Sequence, residues 1–86
     1  MNQSIIFPDE QRWDEALEAI VFPVQVSGML VECIAKSQVL SKLSGEKIES
    51  AQQAIECFKQ VRFDVEELAE QAIEEEEYDS SGRIQI

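Results

Sequence analysis

The Ser27-Gly28 dipeptide, which separates two apolar runs, constrains the fold of this chain more than any other sequence feature. A small dipeptide between such runs is typical of the two-residue turn of a β-hairpin. A two-residue turn also fixes the register, because it sets Val26 opposite Met29 and each earlier residue opposite a later one. Eight apolar side chains then share one face, in the pairs Val26–Met29, Val24–Val31, Phe22–Cys33 and Ile20–Ala35. The sequence therefore predicts a hairpin over 19–26 and 29–35 whose apolar face must be covered.

Two helical patterns follow the hairpin and can supply that cover. Residues 38–43 predict a short helix with one apolar side, preceded by Ser37 as a cap and stopped by Gly45. A long helix is predicted from about 49 to 76, with either Ser50 and Gln53 as a capping box or a start nearer Glu46. Its apolar stripe has spacings of three and four and consists of Ala51, Ile55, Phe58, Val61, Val65, Leu68, Ala69, Ala72 and Ile73. A straight helix of this length would measure about 40 Å, so we expect it to bend or to overhang the domain.

Short segments at the two ends of the chain complete the predicted sheet. Residues 4–7 form a brief apolar run before a Pro-Asp turn signal, and residues 83–86 alternate like a strand. Between them, residues 9–18 predict a short helix or an ordered loop that Trp13 anchors to the core. The sequence thus predicts one α+β domain over 1–86, with a small antiparallel sheet around the hairpin and both helices on one face.

Pro23 predicts where that sheet has an edge. In the predicted register Pro23 occupies a non-hydrogen-bonded pair, so its missing N–H points away from the other strand of the hairpin. We therefore expect the outer side of its strand to be unpaired near Pro23. A further strand should join along 29–35 or beside the first residues of 19–26.

The chain is strongly acidic, with 18 acidic and 7 basic residues and a formal net charge of −11. Residues 46–86 hold twelve acids and four bases, so −8 of that charge lies in the second half. Such a surface repels phosphate backbones and anionic lipids, and we expect no direct binding to nucleic acid or membrane. The start of the chain does not resemble a signal peptide, and two cysteines are too few for a disulfide scaffold. These features predict a cytoplasmic location.

No residue pattern in the chain predicts catalysis, a cofactor or a metal site. The sequence contains no histidine, which is the side chain best suited to proton transfer near neutral pH and the commonest metal ligand. Cys33 is predicted on the apolar hairpin face and Cys57 near the packed side of the long helix, so both are expected to be structural. Ser44 and Lys47 match an S-x-x-K pattern without its partner motifs. We therefore expect that the chain is not an enzyme.

Phe63 is the one large aromatic residue of the predicted long helix that does not fit its apolar stripe. It points away from the apolar stripe, toward a ridge of glutamates that includes Glu66 and Glu70. Either the helix bends there, or Phe63 covers a loop, or it forms a contact surface for a partner or a second copy. Arg62 lies at the edge of the apolar side, where its stem can rest on the core while its charge pairs with Glu66. The predicted interaction residues are Phe63, Arg62, Glu66 and Glu70.

Several segments resemble a small bacterial family known as domain of unknown function 1488. The resemblance covers nearly the whole chain and is carried by Gly28-Met29-Leu30-Val31-Glu32-Cys33-Ile34, Ile6-Phe7-Pro8, Trp13-Asp14, Val21-Phe22-Pro23 and Phe58-Lys59-Gln60-Val61-Arg62. It implies a free-standing domain with a compact α+β fold, and the family has no established activity to transfer.

Three functions remain open from the sequence. The first is a non-catalytic protein-interaction or regulatory module that binds a protein partner or itself. The second is a small ligand-binding or minor catalytic domain with a pocket between the hairpin and the helices. The third is an acidic mimic of nucleic acid, although one helical row of carboxylates is about threefold sparser than the charges along a DNA duplex.

Overall fold

A computed structural model describes residues 4–86 and divides them into five strands and three helices. The first three residues of the chain lie outside the described part. The elements are β1 (Ile5–Ile6), β2 (Arg12–Asp14), β3 (Ala19–Val26), β4 (Met29–Lys36), α1 (Ser37–Ser44), α2 (Ala51–Gln60), α3 (Arg62–Glu74) and β5 (Ile84–Gln85). This is the α+β layout that the sequence predicts, with short strands at both ends.

The central hairpin has the predicted register. β3 and β4 pair antiparallel from Val26 opposite Met29 to Ala19 opposite Lys36. Ser27 and Gly28 have φ angles of 51° and 84°, the two positive values that a type I′ turn requires. Of the eight apolar residues on the predicted face, seven belong to the main core or pack against it. Met29 differs because it lies at the tip of the hairpin, where it is exposed.

The sheet has the order β1-β3-β4-β5, and β2 also pairs with β3. β1, β2, β3 and β4 are joined by antiparallel pairs, as predicted, whereas β5 runs parallel to β4 with Ile84 opposite Cys33. A parallel pair needs a crossover connection, and here the three helices provide one. The chain leaves the end of β4, crosses the core face through these helices and re-enters the sheet in the direction of β4.

Residues 12–14 form a strand where the sequence led us to expect a short helix or a loop. Trp13 pairs with Ile20, and its side chain packs against the main core. The anchoring role predicted for Trp13 is therefore confirmed, but the element is β2. Backbone pairing with β3 outweighs the weak local helical pattern, since propensity is readily overridden by tertiary contacts.

Pro23 divides the outer edge of β3 into two paired stretches. β1 pairs with Val26 and Gln25, and β2 pairs with residues 19–21, so neither strand reaches Pro23. Pro23 has no N–H to donate on this side. The chain from Phe7 to Gln11 lies between the two short strands and belongs to neither of them.

The helices cover the core face, and the predicted long helix is interrupted at Val61, where φ is −105° and ψ is 19°. The observed bounds are Ala51–Gln60 and Arg62–Glu74 in place of 49–76. Val61 still donates to the Cys57 carbonyl and accepts from the Val65 N–H, so the interruption is a bend of the kind expected for so long a helix. The buried residues of α2 and α3 are Ala54, Cys57, Phe58, Val65, Ala69, Ala72 and Ile73.

The predicted helix signals are largely present. Gly45 ends α1 with a φ of 74°, and Ser50 caps α2 by accepting a hydrogen bond from the Gln53 N–H. The N-cap of α1 is Lys36 rather than Ser37, because the helix begins one residue earlier than the apolar pattern does. Within residues 4–86, no helix combines the length and apolarity needed to cross a membrane.

A turn centred on Asp79 holds the last strand in place. The Asp79 carboxylate accepts hydrogen bonds from the Ser81 hydroxyl, the Gln85 side-chain amide and the Arg83 N–H. These bonds favour the charged form, led by the bond from Ser81, and they hold the pKa of Asp79 well below its ordinary value. The C-terminal residues are thereby docked beside β4.

The outer face of the sheet is only partly polar. Ala19, Val21 and Ile34 form a second buried cluster there. Glu32 pairs with Arg12 at 3.1 Å and with Arg83 at 3.9 Å on the same face. The outer face therefore carries a small apolar cluster flanked by ion pairs.

Candidate functional site

A groove of about 500 Å³ lies between α3 and β1 and combines an apolar base with an acidic side. We call it the α3–β1 groove. Its lining consists of Ile5, Phe7, Phe63, Glu66, Glu67, Glu70, Gln71 and Glu74.

The apolar base of the groove follows from strand alternation. Ile5 pairs with Val26, whose side chain belongs to the main core, so Ile5 lies on the core side of the sheet. Phe7, two residues later, returns to the same side, and both residues are only partly buried. Their remaining surface forms the base of the α3–β1 groove.

Phe63 stands beside this base with 85% of its surface exposed. It lies in the first turn of α3, directly after the bend at Val61. The bend does not bury it: Val61 and Val65 occupy the core side of the helix. A large aromatic side chain therefore stays in solvent next to two partly exposed apolar residues.

The acidic side of the groove comes from helical spacing. Glu66, Glu70 and Glu74 recur every four residues along α3, and Glu67 lies beside them. All four charged residues that line the α3–β1 groove are glutamates. The groove thus offers negative charge along one side and carbon surface along its base.

Arg62 is directed inward and does not line the groove. Its side chain is only 19% exposed, and its Nε donates to Glu66 at 2.8 Å, which is the predicted pairing. Its Nη1 donates to Gln11 at 3.0 Å and to Asp9 at 3.2 Å. The guanidinium also lies 5.7 Å from the centre of the Phe58 ring. Arg62 therefore acts as a positioning residue that ties α3 to the segment 8–11.

The shortest hydrogen bond between Arg62 and the segment 8–11 is the one to the Pro8 carbonyl. If the β1 register continued, Pro8 would lie opposite Pro23, which has no N–H to offer. The Arg62 Nη2 donates to this carbonyl at 2.7 Å, and the Glu10 N–H donates to it at 2.9 Å. The Arg62 guanidinium and the Glu10 N–H thus replace the hydrogen bond that Pro23 cannot donate to the Pro8 carbonyl.

The structure brings three of the four predicted interaction residues together. Phe63, Glu66 and Glu70 line one groove, while Arg62 supports it from behind. The sequence did not identify Ile5 and Phe7 as groove residues, because their position depends on how β1 pairs with β3. Glu74 belongs to the acidic ridge that the helical spacing indicates.

A second, smaller depression lies where β2 meets the start of α2. It is lined by Trp13, Glu15, Glu18, Ser37, Ile48, Glu49, Ser50 and Ala51. The Trp13 Nε1 donates to Glu15 at 2.9 Å. The three glutamates that line the depression are exposed to solvent. Among residues 4–86, no group of three or more metal-binding side chains is positioned to hold an ion.

Another exposed apolar surface lies at the tip of the hairpin. Leu30 and Ile6 flank Gln25 on the outer face of the sheet, and Leu30 is 70% exposed. Met29, the first residue of β4, is also exposed but points to the opposite face. This surface was not predicted from the sequence, because the hairpin tip was expected to continue the apolar face.

Both cysteines are free and buried. Burial of Cys33 in the apolar core raises the pKa of its thiol from an ordinary 9.0 to about 12. The thiol therefore stays protonated near neutral pH, which suits the packing role expected for it.

Comparison with known proteins gives the family. The family model described as a protein of unknown function (DUF1488) matches residues 5–86. The uncharacterised protein YrdB of Escherichia coli (strain K12) is 37% identical over 85 residues, which cover 98% of this chain and 96% of that one. YrdB of Shigella flexneri is 36% identical over the same proportions.

A solved structure agrees with the sequence comparison. The crystal structure of a DUF1488 protein of unknown function from Shewanella loihica PV-4 has a TM-score of 0.93 and 48% identity to this chain. The match covers 100% of this chain and 94% of that one. The resemblance seen in the sequence is thus confirmed, and the chain belongs to the DUF1488 family.

Proposed function

We propose that the chain is a non-catalytic protein-interaction module whose docking surface is the α3–β1 groove. The observation that carries this proposal is the exposed ring of Phe63 beside the partly exposed Ile5 and Phe7. Protein interfaces typically combine such apolar surface with a charged rim, and aromatic residues are enriched at their centres.

The surroundings of Phe63 support a surface that is ready to bind. Arg62 holds the segment 8–11 against the start of α3, so Phe7 and Phe63 keep their relative positions before any partner arrives. A preorganised surface loses less conformational entropy on association. Complete burial of a Phe side chain contributes roughly 1.5–3 kcal/mol, which is the scale of an interface hot spot.

The proposed setting is the bacterial cytoplasm. Both YrdB relatives come from bacteria, and both cysteines of this chain are free thiols. Free thiols are typical of reducing compartments. The acidic surface also agrees with a soluble partner rather than an anionic membrane.

The ligand-binding alternative has weaker support. A small-molecule site usually places a few converging polar groups in an enclosed apolar pocket. In the depression near Trp13, the carboxylates of Glu15, Glu18 and Glu49 face solvent instead. No observation on that depression favours a ligand over a protein partner.

A paired affinity purification tests the proposal. The tagged wild-type chain, Phe63→Ser and the matched control Leu30→Ser are expressed in a bacterium that carries the family, and captured proteins are quantified by mass spectrometry. Leu30 is a comparably exposed apolar residue on the opposite face of the sheet, outside the lining of the groove. We expect a partner that wild type and Leu30→Ser retain and that Phe63→Ser loses by at least tenfold.

Light scattering of the same three proteins tests whether the partner is a second copy. A dimer that Phe63→Ser dissociates and Leu30→Ser preserves would identify self-association through the groove. Equal capture by all three proteins, together with equal molar masses, would remove the groove from consideration as a docking surface.

A further inference from the structure

We propose that the α3–β1 groove receives an extended basic segment of a partner protein, which adds to the sheet as a strand along the outer edge of β1. This inference rests on the proposed interaction function and specifies the chemistry of the partner. Three features carry it: the free edge of β1, the direction of its side chains and the charge of α3.

The backbone of β1 presents unused hydrogen-bonding groups at the sheet edge. β1 is the first strand in the sheet order, and the Ser27 N–H donates to the Ser4 carbonyl at 2.8 Å. Hydrogen-bonded pairs alternate along an antiparallel ladder, so Ile6 also faces β3 while the backbone groups of Ile5 and Phe7 point outward. Within residues 4–86, neither Ile5 nor Phe7 has a backbone partner on that outer side. An extended segment can pair there in the manner of β-augmentation.

The side chains of an added strand would alternate between two different surroundings. Residues beside Ile5 and Phe7 would face the groove, where their stems contact the apolar base and the Phe63 ring. Their ends would reach the carboxylates of Glu67, Glu70 and Glu74. Long side chains with an apolar stem and a cationic end, Lys and Arg, fit both requirements.

The intervening residues of the added strand would lie beside Ile6 on the outer face. Ile6 is exposed there, next to Gln25 and Leu30. Aliphatic side chains on the added strand would cover Ile6, whereas Leu30 lies two strands further along the sheet. The pattern of the partner segment is therefore Lys or Arg alternating with Val, Ile or Leu.

Charge also favours a basic partner over a second copy of the chain. Each copy has a formal net charge of −11, and two copies meeting at this groove would bring two sets of four glutamates together. Like charges at an interface oppose association, whereas a basic segment is attracted. The glutamates of α3 thus select against self-pairing along the β1 edge.

The test uses synthetic peptides and fluorescence anisotropy. The probe is a labelled eight-residue peptide of alternating Lys and Val, and its control is the same pattern with Glu in place of Lys. We expect the Lys–Val peptide to bind wild type at 50 mM NaCl and to lose at least tenfold in affinity at 500 mM, because salt screens exposed charges. The Glu–Val peptide should not bind.

Two pairs of variants separate the backbone and charge contributions. Ile5→Pro removes the outward N–H and Ile5→Ala removes only the side chain, so Ile5→Pro should bind at least tenfold more weakly than Ile5→Ala. The double variant Glu70→Gln/Glu74→Gln should bind at least threefold more weakly than wild type. The matched double variant Glu46→Gln/Glu49→Gln, which lies outside the groove, should bind like wild type.

Amide exchange measured by NMR provides a second readout that needs no variant. Bound peptide should slow exchange of the Ile5 and Phe7 amides, which point toward it, and leave the Ser27 amide unchanged. Equal binding by Ile5→Pro and Ile5→Ala together with unchanged Ile5 and Phe7 exchange would overturn strand addition. Equal binding of the two peptides would overturn the basic partner. In either case, a partner that wild type captures and Phe63→Ser loses would still support the proposed interaction function.

Discussion

The guanidinium of Arg62 donates a 2.7 Å hydrogen bond to the carbonyl of Pro8, a residue 54 positions earlier in the chain. This bond joins the bend between α2 and α3 to the segment that leaves β1. It completes the hydrogen bonding of a carbonyl that would lie opposite Pro23 if the β1 register continued, and the Pro23 ring nitrogen carries no hydrogen to donate. The two prolines at the sheet edge and the arginine at the helix bend therefore form one structural unit, and the α3–β1 groove lies beside it.

Replacement of Arg62 by Ala should destabilise the fold by about 1–3 kcal/mol, because it removes the half-buried guanidinium that donates to the Pro8 carbonyl and to Glu66. The measurement is the free energy of unfolding from urea titration. Arg12→Ala, which removes a more exposed ion pair to Glu32, serves as the control and should cost less than about 1 kcal/mol. Equal effects of the two substitutions would contradict the special role of Arg62.

Replacement of Ser27 by Asn should stabilise the hairpin by about 0.5 kcal/mol, because Asn tolerates the φ of 51° that Ser27 adopts in the type I′ turn. Gly28→Ala should destabilise it by about 1 kcal/mol, since an alanine at a φ of 84° is strained. Thermal unfolding followed by circular dichroism measures both. A lower midpoint for Ser27→Asn than for wild type would argue against this turn.

Cys33 should make the stability of the protein fall at alkaline pH. In the unfolded chain the thiol has a pKa near 9.0, whereas burial raises the pKa to about 12 in the folded state. Above pH 9 the unfolded thiol therefore loses its proton while the folded thiol retains it, and the unfolded state is favoured as the pH rises toward 12.

Comparison with Cys33→Ala isolates this effect, because the other titrating groups are common to both proteins. Between pH 8 and pH 10 the wild-type free energy of unfolding should decrease by about 1.4 kcal/mol more than that of Cys33→Ala, because pH 10 lies about one unit above the pKa of the unfolded thiol. Urea titrations at the two pH values provide the comparison. Parallel pH dependences would show that the thiol is not buried as the structure has it.

Substitution of two aromatic residues in the helices should change the stability by very different amounts. Phe63→Ser should change the free energy of unfolding by no more than about 0.5 kcal/mol, because its ring is exposed. Phe58→Ser should cost at least about 3 kcal/mol, since this ring is fully buried and lies 5.1 Å from that of Phe22. Urea titration measures both, and a loss of 2 kcal/mol or more in Phe63→Ser would show that Phe63 serves the fold.

The elements that the sequence predicted most accurately are those fixed by local chemistry. The Ser27-Gly28 turn determines the whole register of β3 and β4, and Gly45 and the Ser50–Gln53 pair define helix ends through bonds within a few residues. Helix length led us to expect either a bend or an overhang, and the structure has a bend, at Val61. Each of these features depends on residues that are close together in the chain.

The features that the sequence could not supply depend on pairing between distant segments. Trp13 forms a strand only because β3 offers a partner, and β5 runs parallel because the helices reverse the chain before it returns. For the same reason the sequence identified Phe63 and the glutamates of the site but not Ile5 and Phe7. Arg62 was correctly paired with Glu66, yet its three acceptors in the segment 8–11 lie more than fifty residues away.

The most direct measurement of the central claim is hydrogen–deuterium exchange of the chain alone and bound to the partner that it captures. If the α3–β1 groove is the docking surface, exchange should slow over residues 4–8 and 62–75 and stay unchanged at the hairpin tip around Met29 and Leu30. Protection confined to that tip or to the outer face near Ile34, with residues 4–8 and 62–75 unaffected, would contradict the account.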